Sequence, residues 1–93
     1  MRNVLWWLIV GSKGGANRVE IIKSLKERPY TASQLAEHLK LDYTTIRYHL
    51  KVLSDNNVVS CVGKKYGETY YLSPQMESNY SVFEEILERI RKE

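Results

Sequence analysis

Cysteine is almost absent from the 93-residue sequence, in which Cys61 is the single one. An internal disulfide is therefore excluded, which favours a reducing, cytoplasmic compartment. The position of Cys61 in a predicted strand, Val58 to Val62, favours a packing role. The alternative is a redox-sensing thiol, which would have to work with the thiol of a second chain.

Histidine is equally scarce, because His38 and His49 are the only two. A metal site needs His or Cys pairs with acids at short helical spacing, and the sequence has no such cluster. It also has no Ser/His/Asp set and no suitably spaced pair of acids. We therefore predict no enzyme, no cofactor and no metal. His49, beside an apolar stripe, is predicted to be a half-buried histidine that bonds a neighbour.

Long apolar runs are missing as well. The most apolar stretch, VLWWLIV at residues 4–10, is far shorter than the roughly 20 residues that cross a bilayer. The GSKGG that follows is a poor signal-cleavage site and lacks the phosphate-loop pattern, so we interpret it as a hinge. Residues 4–10 are expected to form a short helix or strand against the domain or a partner chain. One of Trp6 and Trp7 should cover a neighbouring subunit or the first helix of the domain.

The composition is that of one soluble globular domain, with 43% hydrophobic and 27% charged residues. A chain this short buries only about 60–65% of its unfolded surface, so dimerisation would add useful apolar burial. The formal net charge is +3. Residues 1–39 and 40–66 each carry a net +3, whereas residues 67–93 carry −3. Binding of a polyanion through the first two parts is therefore plausible.

Two short helices with a three-residue break are predicted in residues 31–55. The first begins at Thr31, with Gln34 three positions later, which is the pattern of a capping box. Asp42 is a good N-cap for the second. In that second helix Ile46, Leu50 and Leu53 form one buried stripe.

The opposite face of the second helix carries an unusual set of side chains. Thr44, Tyr48, Lys51 and Asp55 lie there, with Thr45 and Arg47 on its flanks. Hydroxyls, an arginine and a lysine are suited to hydrogen bonds with base edges and phosphates. The alternative is a plain helical hairpin with a mixed polar surface.

An earlier helix is predicted from Asn17 to Arg28, ended by Pro29. Its buried residues should be Val19, Ile21, Ile22 and Leu25, and its solvent-facing residues Glu20, Lys23, Ser24 and Glu27. For Arg18 two roles are open, a contact with a backbone phosphate or an ion pair with an acid in a dimer.

After the second helix the pattern changes to that of a β-hairpin. Strands are predicted at Val58 to Val62 and Glu68 to Leu72, with a tip at Gly63 to Gly67. This order of elements predicts a winged helix-turn-helix. The run LAEHLKLDYTTIRYHLKVLSDNNVVS, residues 35–60, resembles the core of ArsR-type winged-helix transcriptional regulators, and the resemblance covers residues 16–73. It implies a DNA-binding role.

The expected fold is mainly α with a small β-hairpin (α+β): a three-helix core plus a wing. We predict three parts: an apolar segment and Gly-rich loop at 1–15, the winged-helix DNA-binding domain at 16–73, and a terminal helix at 74–93. The terminal helix has an apolar stripe of Val82, Phe83, Ile86, Leu87 and Ile90. This stripe should pack on a second subunit or on the N-terminal segment; the alternative is that it folds back on its own domain.

The resulting prediction is a homodimeric regulator of transcription that binds double-stranded DNA and no membrane. The residues expected to contact DNA are Thr44, Thr45, Arg47, Tyr48, Lys51, Lys64, Lys65 and Tyr66. The other hypothesis is a winged-helix module that binds a partner protein instead of DNA.

Overall fold

A computed structural model of the chain describes residues 1–63 and 67–92. Within these ranges the elements, in chain order, are α1 (Arg2–Trp6), a π-helical turn (Trp7–Gly11), α2 (Gly15–Glu27), β1 (Tyr30–Thr31), α3 (Ala32–Leu39), α4 (Tyr43–Asp55), β2 (Val59–Val62), β3 (Thr69–Leu72), α5 (Pro74–Ser78) and α6 (Tyr80–Lys92). The predicted fold class, mainly α with a small antiparallel sheet, is confirmed.

The helix-turn-helix is built from the local signals seen in the sequence. Thr31 Oγ1 accepts a hydrogen bond from the Gln34 amide at 3.1 Å, and Gln34 Oε1 accepts from the Thr31 amide at 2.9 Å. Lys40 ends α3 in the left-handed region, with φ of 56°. Asp42 Oδ2 then accepts from the Thr44 amide at 3.0 Å and starts α4. The predicted capping box and N-cap are thus confirmed.

The sheet has three antiparallel strands in the order β1-β3-β2 among the described residues. Tyr70, on the central strand, pairs with Tyr30 on one side and with Cys61 on the other. The two hairpin strands were predicted, but β1 was not. It is two residues long and carries no alternation of its own, so only its pairing with β3 defines it.

The core of the molecule is shared by both ends of the chain. Leu5 and Leu8 from the N-terminal segment and Phe83 from α6 belong to the same buried cluster as Ile46 and Leu50 of α4. Helix α6 therefore folds back on its own domain and also packs against α1. Both of these were among the predicted placements.

The two tryptophans lie at the surface and outside the core. Trp6 is 37% exposed and Trp7 is 51% exposed. The guanidinium of Arg89, on α6, lies over the Trp6 ring at 5.6 Å from its centroid. Trp6 therefore covers part of the terminal helix, a contact that was not among those predicted for the two tryptophans, and the contact of one of them with a neighbouring subunit stays a prediction.

Arg18 is inside the protein, which contradicts both roles predicted for it. Its side chain is 2% exposed. The guanidinium donates to the Leu8 carbonyl at 2.9 Å, to Ser12 Oγ at 2.8 Å and to His49 Nδ1 at 3.3 Å. It can reach neither a phosphate nor an acid on another chain. Its three bonds instead connect the N-terminal segment to α4.

Two further expectations about single residues were wrong. Ser24, predicted to face solvent, is buried, and its hydroxyl is satisfied by donating to the Glu20 carbonyl at 2.8 Å within α2. Cys61, predicted to pack, is exposed because the core covers only the start of the edge strand β2, at Val59. Local desolvation, together with a hydrogen bond to Glu68, raises the pKa of the Cys61 thiol. At neutral pH this thiol is therefore in its less reactive protonated form.

The glycine-rich connection is closely packed, unlike the hinge that the sequence suggested. Gly14 has φ of +90°, and a Cβ on it would lie 2.4 Å from His49 Cε1. Gly15, the first residue of α2, is buried against the carbonyl of Ile9. Because neither glycine has a side chain, the N-terminal segment can pack closely against α2 and α4.

His49 bonds a neighbour as predicted, but it is buried more deeply than expected, at 4% exposure. Burial, and then the positive charge of Arg18, lower its pKa below the ordinary 6.5. Its Nδ1 accepts a hydrogen bond from Arg18 and so carries no proton in the folded state.

We expect the pKa of His49 to make folding pH-dependent. Because the unfolded chain binds the proton more tightly, stability falls as the pH drops below about 6.5 and stops falling once it is below the lowered folded pKa. Urea unfolding between about pH 5 and 8 measures this slope. A His49→Gln variant should flatten it, and a His38→Gln variant should keep it. An unchanged slope in the His49→Gln variant would contradict the assignment.

No helix within residues 1–63 and 67–92 is long and apolar enough to cross a membrane. In the same ranges no three side chains from His, Cys, Asp and Glu come together as they would around a metal ion.

Candidate nucleic-acid interface

Helix α4 has one apolar face and one polar face, as predicted. Ile46, Leu50 and Leu53 are 1% exposed or less and anchor the helix in the core. Four residues point outward on the other side, and we call them the recognition face: Thr44, Arg47, Tyr48 and Lys51. Thr45, also predicted to contact DNA, is half-buried at the edge of this face. The rigid attachment of α4 therefore presents its hydroxyls and cations to solvent.

Lys51 forms an ion pair with Asp55 one turn later, with Nζ 3.1 Å from Oδ2. Both side chains are more than half exposed. Exposed pairs of this kind contribute roughly 0.3–0.5 kcal/mol in helices. A phosphate could therefore displace Asp55 from Lys51 at little cost.

Arg47 is held by the sheet. Its Nη1 donates to the Tyr70 hydroxyl at 3.0 Å, and that hydroxyl donates in turn to Glu68 Oε2 at 3.4 Å. Burial raises the pKa of Tyr70, and the Glu68 carboxylate adds to this, while the positive charge of Arg47 opposes it. Sequence reasoning missed Tyr70 and Glu68, because only the fold brings β3 next to α4.

A shallow groove of about 280 Å³ lies where the two helices of the motif meet the sheet. Its lining residues are Thr31, Ala32, Ser33, Tyr43, Arg47, Glu68 and Tyr70. The first turn of α3, whose backbone N–H groups have no carbonyl partner within the helix, is thus close to Arg47. The groove contains both an arginine and a helix N-terminus, two groups that attract anions.

Two tyrosines extend the polar surface of α4. Tyr43 is 50% exposed and Tyr48 is 59% exposed. The Tyr48 ring makes an edge contact with the buried His49 ring at 5.3 Å between centroids. Tyr43 was not among the predicted contact residues, although its place at the first position of α4 was a usable signal.

The predicted wing residues Lys64, Lys65 and Tyr66 lie outside the described residues. They fall between Val62 and Thr69, which are paired across the hairpin.

A comparison with protein-family models decides the identity of this motif. Residues 16–60 match the model described as "Bacterial regulatory protein, arsR family". Residues 16–60 carry an ArsR-type helix-turn-helix. The match covers α2, β1, α3, α4 and the beginning of β2. The description of that family names regulatory proteins.

Comparison with solved structures supports the fold over most of the chain. HlyU from Vibrio cholerae superposes with a TM-score of 0.69 at 18% identity, covering 99% of this chain and 94% of that one. The transcriptional regulator BldR from Sulfolobus solfataricus gives 0.72 at 14%, covering 96% and 65%. The transcriptional repressor BigR from Xylella fastidiosa gives 0.66 at 19%, covering 87% and 80%. At these identities the likeness establishes the winged-helix fold.

A search of curated protein sequences found no significant match to this chain.

Proposed function

We propose that this protein is a sequence-specific DNA-binding regulator of transcription that acts as a homodimer. The observation that carries the proposal is the recognition face of α4, where two cations and two hydroxyl-bearing side chains are exposed opposite a fully buried apolar stripe. The ArsR-type match at residues 16–60 supports it. In helix-turn-helix proteins the second helix of the motif is the one that enters the major groove.

In this proposal α4 lies in the major groove with its N-terminal half toward the bases. Thr44, Thr45, Arg47 and Tyr48 approach base edges or phosphates, and Lys51 exchanges Asp55 for a backbone phosphate. The N-terminal amides of α3, at the groove beside Arg47, contact the phosphates of the DNA backbone. Base contacts provide specificity, whereas phosphate contacts set position and affinity.

The wing completes the interface. Lys64, Lys65 and Tyr66 are proposed to lie against the adjacent minor groove or its phosphates. Antiparallel pairing of β2 with β3 is what would present this segment beyond the sheet.

An exposed apolar surface supports the homodimer. A groove of about 340 Å³ between α2 and α6 is lined in part by Ile9, Val19, Leu87 and Ile90. Ile90, which lines this groove, is 42% exposed, and Trp7 and Val10 of the N-terminal segment are also more than two-fifths exposed. Large exposed apolar side chains of this kind are typical of protein interfaces. To read a palindromic site, a two-fold dimer needs its two α4 helices about 34 Å apart.

The test is selection of bound duplexes from a random pool, with the mass of the free protein and of the complex measured alongside. A palindromic consensus and a dimer mass would support the proposal. Gel mobility shifts on random duplex at low and moderate salt accompany it. No retardation at either salt concentration would favour the other candidate, a module that binds a partner protein through Tyr43, Tyr48 and the rest of this surface.

Replacing Lys64 and Lys65 with alanine should weaken binding to every duplex. Each lost phosphate contact should lower the slope of log K against log salt by about one unit, so we expect a decrease of about two. Binding titrations at several salt concentrations measure the slope. The control is the double Arg91→Ala, Lys92→Ala variant, which removes the same charge from the end of α6. Equal slopes in the wing variant and wild type would rule out phosphate contacts by the wing.

A further inference from the structure

Arg47 is the one cation on the recognition face whose partner comes from a distant part of the chain. Lys51 pairs with Asp55 on its own helix, where both side chains are free to move in solvent. Arg47 instead bonds Tyr70, which is 23 positions away and on the central strand. An arginine has five N–H donors in a planar fork. Anchoring Nη1 leaves the remaining donors of that fork available in a defined orientation.

The anchor itself is rigid. Tyr70 is 6% exposed, and its backbone is paired with Tyr30 and Cys61 on both sides. Its hydroxyl donates to Glu68, which leaves the oxygen lone pairs to accept from Arg47. The hydroxyl therefore has a fixed position and a fixed direction of hydrogen bonding. It faces the groove that also contains the start of α3.

We propose that Tyr70 is a positioning residue for DNA recognition: it holds the Arg47 guanidinium at the angle that a bidentate contact with a base edge requires, without itself touching DNA. The inference rests on the proposed function and deepens it. A bidentate contact with the O6 and N7 of guanine needs two donors placed together. The Arg47 side chain has four rotatable bonds. When its Nη1 is already bound to Tyr70, it loses less conformational entropy on placing two donors against the base.

This role predicts a particular kind of defect. Loss of the Tyr70 hydroxyl should reduce discrimination between the selected duplex and a random one. It should leave affinity for random duplex and the salt slope unchanged, because the charge of Arg47 remains. A hydroxyl that only stabilised the fold would change affinity for both duplexes together.

The experiment compares Tyr70→Phe with the matched control Tyr71→Phe, the next residue of the same strand, whose side chain points to the other face. Dissociation constants are measured for the selected and the random duplex, after thermal unfolding has shown that each variant is folded. The ratio compared is the dissociation constant for the random duplex divided by that for the selected duplex. We expect it to fall about tenfold in Tyr70→Phe, as for a lost base contact, and to stay constant in Tyr71→Phe. An unchanged ratio in Tyr70→Phe would overturn the proposal.

A double-mutant cycle with Arg47→Ala separates this proposal from the proposed function. If Tyr70 acts through Arg47, adding Tyr70→Phe to Arg47→Ala should change the ratio no further. Independent, additive losses would contradict positioning while DNA binding itself remained established. Failure of the wild-type protein to bind any duplex would overturn both.

A measurement on the free protein covers the case in which Tyr70→Phe does not fold. Tyrosines labelled with ¹³C at Cζ report their individual pKa values by NMR. Since the Arg47 charge lowers the pKa of Tyr70 against the effect of burial, Arg47→Ala should raise it. An unchanged Tyr70 titration would show that the guanidinium is not held there in solution, which would also overturn the proposal.

Discussion

Replacing Gly15 with alanine should lower the free energy of unfolding by about 2–4 kcal/mol. A Cβ built on Gly15 lies 1.8 Å from the carbonyl oxygen of Ile9, well inside any allowed contact. The oxygen belongs to backbone, so it cannot move away as a flexible side chain would. To make room, the π-helical turn must separate from the start of α2, and buried Leu8 must move with it. Urea unfolding measures the change.

The control for this substitution is Gly67→Ala. A Cβ on Gly67 meets no atom within 4 Å, so the same change of residue type should have little effect there. Equal stabilities for the Gly15→Ala and Gly67→Ala variants would show that the N-terminal segment is not packed as described.

Replacing Arg18 with alanine should cost about 3 kcal/mol of stability. The change leaves the Leu8 carbonyl and Ser12 hydroxyl without their donor and creates a cavity at a side chain that is 2% exposed. It also releases His49, whose pKa should rise toward the ordinary 6.5 when the neighbouring positive charge is gone. Urea unfolding and a histidine titration by NMR measure the two effects.

The matched control is Lys23→Ala, an exposed cation on the same helix, for which a change within about 0.5 kcal/mol is expected. A stable Arg18→Ala variant would mean that the guanidinium bonds contribute nothing net. A destabilised variant with an unchanged His49 pKa would mean that only the cavity matters.

The elements that the sequence predicted best are those whose cause is local. The starts of α3 and α4 follow from Thr31, Gln34 and Asp42, and each of them bonds a backbone amide two or three residues away. The apolar stripe of α4 follows from spacing alone, because Ile46 and Leu50 recur at one helical period. Such signals need no knowledge of the rest of the fold.

The errors came from contacts between distant segments. From sequence alone, Arg18 near the start of a helix is predicted to be a surface cation. Its burial depends on acceptors from two distant segments, the Leu8 carbonyl of the N-terminal segment and His49 of α4. Cys61 occupies a strand position that can face either side of a sheet, and no local pattern specifies which. Glycines 14 and 15 were interpreted as flexible, although their lack of a side chain allows close packing.

The candidate interface divides in the same way. The exposure of Thr44, Tyr48 and Lys51 followed from helical geometry. The bond from Arg47 to Tyr70 depends on how β3 lies against α4, and that arrangement is set by the three-stranded sheet, including the unpredicted β1. The contact of Lys64, Lys65 and Tyr66 with DNA stays a prediction.

Ser73 joins the turn after α4 to the beginning of α5. Its hydroxyl donates to the Asn57 carbonyl at 2.7 Å and accepts from the Met76 amide at 2.9 Å, while the Ser73 amide donates to the Val58 carbonyl. The turn that follows α4 is therefore fastened to the beginning of α5. Assembly with another copy that displaced α5 or α6 would therefore also displace the C-terminal end of α4, the helix proposed to enter DNA.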